Sequence, residues 1–254
     1  MPLGRHPSWV PAQRRSGARL DRVPSGHDLR PYAPRVTTTR FGRAWHTLTL
    51  VVALAALLLQ LYLVMSGENI LDSSAVTTTR PEQVRRYFSY FTIQSNILVA
   101  LSTWLLVRDR VDSQFFRVVR LASLVGITVT GIVAFVALPP SATYTTANLV
   151  CDRLLHIVVP VLTFVGWAVF GPRGKVTRED LLPSLIWPVA WLLATLALGP
   201  FVDWYPYPFL NVGSIGLGRT LLNCAVIAVL FLALAALALW ADRRLSRDRA
   251  TMNA

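Results

Sequence analysis

Charge is scarce in this chain, and phosphate-binding loops are missing. Only 15% of its 254 residues are charged against 54% hydrophobic, with a mean hydropathy of +0.48; that balance excludes an ordinary water-soluble domain. No Gly-Lys-Ser/Thr sequence occurs, which removes a P-loop for nucleotides; Gly171-Pro172-Arg173-Gly174-Lys175 reads as a turn after a helix. Histidine is sparse too: His6 and His27 fall near the N-terminus, His46 at the edge of an apolar run, and only His156 well inside one. Bis-histidine haem and other metal chemistry are poorly supported by so few ligands, and no cofactor or metal is expected. Two cysteines, Cys151 and Cys224, sit at different depths of two apolar runs, so free buried thiols are expected over a disulfide.

What the chain has instead is apolar length. Six runs approach or exceed the roughly 20 residues that a helix needs to cross a bilayer: Ala44–Met65, Tyr87–Val107, Val118–Leu138, Leu149–Phe170, Leu181–Leu198 and Ile215–Trp240. They are continuous rather than alternating, and backbone in hydrocarbon must satisfy its own hydrogen bonds, so the predicted fold is all-α, a polytopic integral membrane protein of six transmembrane helices. The expected organisation is a disordered basic tail over residues 1–43, a six-helix domain over 44–240 and a second basic tail over 241–254.

Orientation follows from the basic residues. Nine Arg precede the first helix; Arg108, Arg110, Arg117 and Arg120 follow the second; Arg173, Lys175 and Arg178 follow the fourth; Arg243, Arg244, Arg247 and Arg249 follow the sixth. That sets 20 of 25 basic residues on one side and predicts cytoplasmic N- and C-termini in a multi-pass protein of the cell membrane. The net charge of +12 then needs no nucleic-acid partner, because a basic face against anionic lipid headgroups accounts for it. Residues 1–43, rich in Arg, Pro, Ser and Gly, have little to pack. The first apolar run starts too late and is too long for a secretory signal; a mitochondrial transit peptide shares the composition, but amphipathic periodicity is poor here.

Intramembrane polarity gathers toward one end of the predicted bundle. His156 lies about 10 Å into the fourth helix from that end and Thr92 about 8 Å into the second, at 1.5 Å per residue. Gln94, Asn96, Asp152, Arg153, Arg219 and Asn223 cluster at similar depth. An Arg or Asp at the centre of a span costs roughly 2.5–3.5 kcal/mol on insertion scales, so such groups call for a reason. Two kinds of reason compete. Ser, Thr and Asn hydrogen-bond between helices in membranes, Arg153 and Arg219 snorkel to headgroups, and a neutral His156 bridges two helices. In the functional reading, Thr92 is a nucleophile, His156 its general base, and Asp152, four residues before His156 on the same helix face, orients the imidazole. Arg219, Asn96 and Asn223 are then candidates to stabilise an oxyanion, and Arg153, Trp204 and Tyr205 to contact substrate. In Trp204-Tyr205-Pro206-Tyr207-Pro208-Phe209 the paired prolines forbid a regular helix, so the segment reads as a stiff aromatic lid or interface belt.

The stretches Tyr87-Phe88-Ser89-Tyr90-Phe91-Thr92-Ile93-Gln94-Ser95-Asn96, Leu154-Leu155-His156-Ile157-Val158-Val159-Pro160 and Trp204-Tyr205-Pro206-Tyr207-Pro208-Phe209-Leu210 resemble the androgen-induced protein family, especially its bacterial six-helix branch. The resemblance covers about residues 45 to 240. Animal members hydrolyse fatty acid esters of hydroxy fatty acids with a membrane-embedded threonine and histidine, and the resemblance assigns those roles to Thr92 and His156. Around Thr92 this chain has Gln94, Ser95 and Asn96 where animal members carry a more apolar stretch with an acid, which keeps Ser89 as an alternative nucleophile. The spacing from His156 to Pro160 is one residue shorter than theirs. The expected function is intramembrane hydrolysis of long-chain lipid esters, the partner being a membrane lipid or lipid ester. A small transporter or lipid-binding membrane protein is the alternative, and an assembly subunit whose polar cluster only packs helices is a third reading.

Overall fold

A computed structural model describes residues 39–67, 79–138 and 145–252, the last six of these by backbone alone. The tail expected over residues 1–43 lies outside the described residues up to residue 38, and residues 40–43 already belong to the first helix. Every regular element among the described residues is helical. Helix α1 (Arg40–Ser66) begins where Thr39 Oγ1 accepts the Gly42 N–H at 3.1 Å and ends at Gly67, whose φ of 85° suits glycine. Helices α2 (Arg80–Ser89) and α3 (Phe91–Val107) form a bent pair, and α4 (Gln114–Ala137) is capped by the Ser113 side chain. Then come α5 (Thr146–Phe170), α6 (Arg178–Val202), the short α7 (Val212–Ile215) and α8 (Leu217–Met252). Five helices, α1, α4, α5, α6 and α8, are long and apolar enough to cross a membrane, and α2 with α3 makes a sixth if the bent pair is one span.

The break between α2 and α3 corrects the expected unbroken span from Tyr87 to Val107. At Tyr90 the backbone is extended and the direction changes by 69°. Side chains satisfy the carbonyls that the break strips of helical partners: Trp191 Nε1 donates to Ser89 O at 2.8 Å and Gln94 Nε2 to Phe88 O at 2.9 Å. Gln94 Oε1 in turn accepts the Trp187 Nε1–H at 2.7 Å, so two tryptophans of α6 brace the joint. Irregular backbone between two helices of a bundle is tolerated when protein groups replace the lost ladder.

Helix α3 is the centre of the bundle, packed chiefly between α1 and α4. Small residues let the backbones approach, with Ala53, Ala56, Val99 and Ala100 buried at these seams. Helices α6 and α8 instead expose apolar side chains such as Leu182, Ile186, Leu222 and Val226, as lipid-facing surfaces do. Arg120, counted above with the second connection, proves to be an interior residue of α4: it is buried and its Nη2 donates to Gly171 O at 2.9 Å. Asp242 of α8 is buried within electrostatic reach of Arg120. Both cysteines are free and buried.

Candidate active site

Pro160 shapes the segment that carries His156. It has no N–H for the carbonyl four residues earlier, and the helix accommodates this by a π turn over Leu154–Val158, in which the Val159 N–H donates to Leu154 O. The carbonyl of His156, relieved of its partner, faces α4 at Gly131, where a Cβ would stand 3.2 Å from it. Only a residue without a side chain fits that crossing comfortably.

The turn aims the imidazole at α3. His156 Nε2 lies 3.2 Å from Thr92 Oγ1, and His156 Nδ1 lies 2.8 Å from Asp152 Oδ1. With Nδ1–H donated to the carboxylate, Nε2 keeps a lone pair for the threonine hydroxyl, so acid, base and hydroxyl form one relay. Thr92 and His156 are 7% and 16% exposed by residue and side chain respectively, Asp152 32% by side chain, so the relay runs from the interior toward the surface.

The break at Tyr90 sets the surroundings of the hydroxyl. It makes Thr92 the second residue of α3, where backbone N–H groups lack intrahelical partners and the helix dipole is positive. The Thr92 N–H donates instead to Tyr207 OH at 3.2 Å, and the same phenol oxygen stands 3.3 Å from Thr92 Oγ1. Burial pushes the Tyr207 phenol above its ordinary range, so it is a neutral donor with a proton of its own to give. Three aromatic neighbours hold its ring: Phe209 stacked at 5.1 Å, and Tyr90 and Trp191 edge-on at 5.6 and 6.1 Å.

The other expected site residues take varied places. Asn96 is buried but spends Nδ2 on carbonyls, Thr92 O at 2.8 Å and Leu155 O at 3.4 Å, so it ties α3 to α5 behind the relay. Asn223 donates to Phe209 O at 2.9 Å and fixes the strap that carries Tyr207. Arg153 and Arg219 are exposed. Trp204 lies under the guanidinium groups of Arg85 and Arg86, and the Tyr205 ring covers Gly199 so closely that a Cβ there would overlap it. Ser89, the alternative nucleophile, donates to Arg85 O at 2.8 Å. No sequence signal marks Tyr207, because the stretch between Pro206 and Pro208 has no helical or strand period to show which ring turns inward.

Thr92 and Tyr207 open on a cavity of about 230 Å³ enclosed by α3, α4, α6 and α8. Its wall is almost wholly apolar, from Val129, Val133, Leu192, Ile227 and Phe231, with the hydroxyls of Thr92, Thr130 and Tyr207 as its main polar points. Val189 and Leu232, about half exposed, set its mouth on the lateral, lipid-facing side of the bundle. Among the described residues no cluster of His, Cys, Asp and Glu is arranged to hold a metal ion. No protein-family model, curated protein or solved structure matches this chain.

Proposed function

We propose that the protein is an intramembrane hydrolase of long-chain lipid esters, in which Thr92 is the nucleophile and His156 the base. The observation that carries this reading is the Asp152–His156–Thr92 relay, with contacts of 2.8 and 3.2 Å, set against an apolar cavity. A threonine hydroxyl is a weak nucleophile without a base, and a wall of Val, Leu, Ile and Phe suits an acyl chain rather than a polar solute.

In the proposed reaction Thr92 Oγ attacks the ester carbonyl as its proton passes to His156 Nε2. The carbonyl oxygen becomes an oxyanion that takes the Tyr207 proton as a hydrogen bond at the positive end of α3. Collapse breaks the ester C–O bond, the leaving alkoxide takes the proton from His156, and the acyl group stays on Thr92. Water then attacks this second ester with His156 again as base, releasing the fatty acid and restoring the hydroxyl. Asp152 holds the imidazole in the required tautomer and balances its transient charge. With both termini cytoplasmic, as the basic residues indicate, the cavity receives its ester sideways from the outer leaflet of the cell membrane.

The test is ester hydrolysis by purified protein in nanodiscs over a panel of long-chain esters, for wild type, Thr92→Ala and His156→Ala. Each variant is expected to lose about 10³-fold or more in kcat with unchanged thermal melting. Turnover retained in both variants defeats the assignment. A folded wild type that hydrolyses no ester of the panel transfers support to the alternative, a small transporter or lipid-binding protein that uses the cavity without chemistry.

A further inference from the structure

Thr130 of α4 is the polar residue of the cavity wall that the proposed reaction leaves unused. It is 4% exposed and lines the same space of about 230 Å³ as Thr92 and Tyr207. A hydroxyl on an apolar wall can give a proton to a ligand or accept one. The bonds around Thr130 decide between the two.

Thr130 Oγ1 donates to Ser95 Oγ at 3.1 Å, and Ser95 Oγ donates in turn to Phe91 O at 2.7 Å. A hydroxyl has a single proton, so both protons run away from the cavity toward the first carbonyl of α3. What Thr130 offers to an occupant is the lone pairs of its oxygen. Tyr207 offers the opposite, a phenol proton beside Thr92 Oγ1. The wall thus carries a donor suited to an ester carbonyl and, set apart from it, an acceptor suited to an O–H group. Ser95 follows Thr92 by three residues, which places the acceptor about 4.5 Å further along α3 at 1.5 Å per residue. A plain acyl chain would leave the Thr130 oxygen against methylene groups, and a ketone or ether oxygen there would set lone pair against lone pair. A hydroxyl would find its partner.

We propose that the cavity selects lipid esters bearing a free hydroxyl within a few atoms of the ester carbonyl, with Thr130 as the specificity-determining residue that accepts its proton. The inference rests on the reading of this cavity as the site of the ester. A hydroxyl on the acyl chain and one on the alcohol, as in a monoacylglycerol, present the same O–H to Thr130.

The experiment uses the full chain in phosphatidylcholine nanodiscs. Binding is measured in a Thr92→Ala background, which removes the proposed nucleophile and keeps the cavity, and turnover is measured on the wild type. Methyl palmitate, methyl 3-hydroxypalmitate, methyl 3-oxopalmitate and monopalmitoylglycerol compete against a brominated acyl ester that quenches Trp191 at the cavity wall. The 3-hydroxy ester or the monoacylglycerol is expected to bind about five- to tenfold more tightly than methyl palmitate, the gain from one added hydrogen bond. Whichever of the two gains identifies the side of the ester that carries the hydroxyl. The 3-oxo ester is expected to gain nothing. Thr130→Val, close to the same shape, is expected to erase the preference, and Thr130→Ser to keep it. Ser95→Ala releases the Thr130 proton and is expected to let the 3-oxo ester bind about as well as the 3-hydroxy ester, a change that a hydroxyl serving only to join α3 and α4 would not produce. Equal affinity for all the esters, an equal gain by the 3-oxo ester with Ser95 in place, or a preference that survives Thr130→Val overturns the proposal. A hydroxyl preference in binding without turnover by the wild type defeats the hydrolase and upholds this inference, whereas turnover with no preference does the reverse.

Discussion

Tyr207 couples the strap to the Thr92 hydroxyl through one atom. Its OH accepts the Thr92 N–H and lies 3.3 Å from Thr92 Oγ1, so its own proton is free to follow negative charge from the hydroxyl to a carbonyl oxygen. Tyr207→Phe removes that proton and keeps the three aromatic contacts of the ring. The expected outcome is a fall in kcat of about 10²-fold with KM nearly unchanged, measured on a long-chain ester, because the lost bond forms fully only in the transition state. At this scale, Thr92 and His156 were legible in the sequence because both depths can be counted along helices from the same end, and Asp152 because four residues separate it from His156 on one face. Asn96 and Asn223 were legible as polar residues at the right depth but not in what they do. Their amides serve carbonyls of α5 and of the strap, and that depends on a loop and a neighbouring helix that periodicity does not describe.

The elements show where local sequence rules prevailed and where tertiary bonds did. The π turn of α5 has a local cause in Pro160 and can be undone locally. Pro160→Ala restores an N–H for the His156 carbonyl, lets the helix close in α register and rotates the imidazole away from Thr92. Thermal stability is expected to hold or rise by about 0.5–1.5 kcal/mol while turnover falls about 10²-fold, as measured by melting and hydrolysis on the same preparation. The break at Tyr90 has no such marker: neither Pro nor Gly occurs from Phe88 to Gln94. It is sustained by Trp191 and Gln94 bonding the abandoned carbonyls, and Trp191 lies about a hundred residues along the chain from Ser89. An unbroken second span was therefore the natural reading of the sequence, although the break is what puts Thr92 at a helix start.

For the whole molecule, the two ends of the bundle differ in kind. The end opposite Thr92 is held by buried charge, with Arg120 of α4 bonded to Gly171 O and Asp242 of α8 close by. Arg120→Ala removes the bond to Gly171 O and one of two cations near Asp242, which keeps Arg173 and the Gly174 and Val176 backbone beside it, and is expected to cost about 1–3 kcal/mol, measured by thermal melting. The Thr92 end is built around space instead. Leu192→Trp, which fills the cavity, is expected to lower turnover of long-chain esters about tenfold while sparing short-chain ones, a comparison that separates loss of room from loss of chemistry. The bend at Tyr90 bears on all of this. Glu82, Arg85 and Arg86 load α2 with charge, α3 is apolar, and the turn of 69° between them sets the two helices in different directions. Thr92 sits two residues from the pivot, whereas His156 belongs to α5, so the angle of the bend sets the gap between hydroxyl and imidazole.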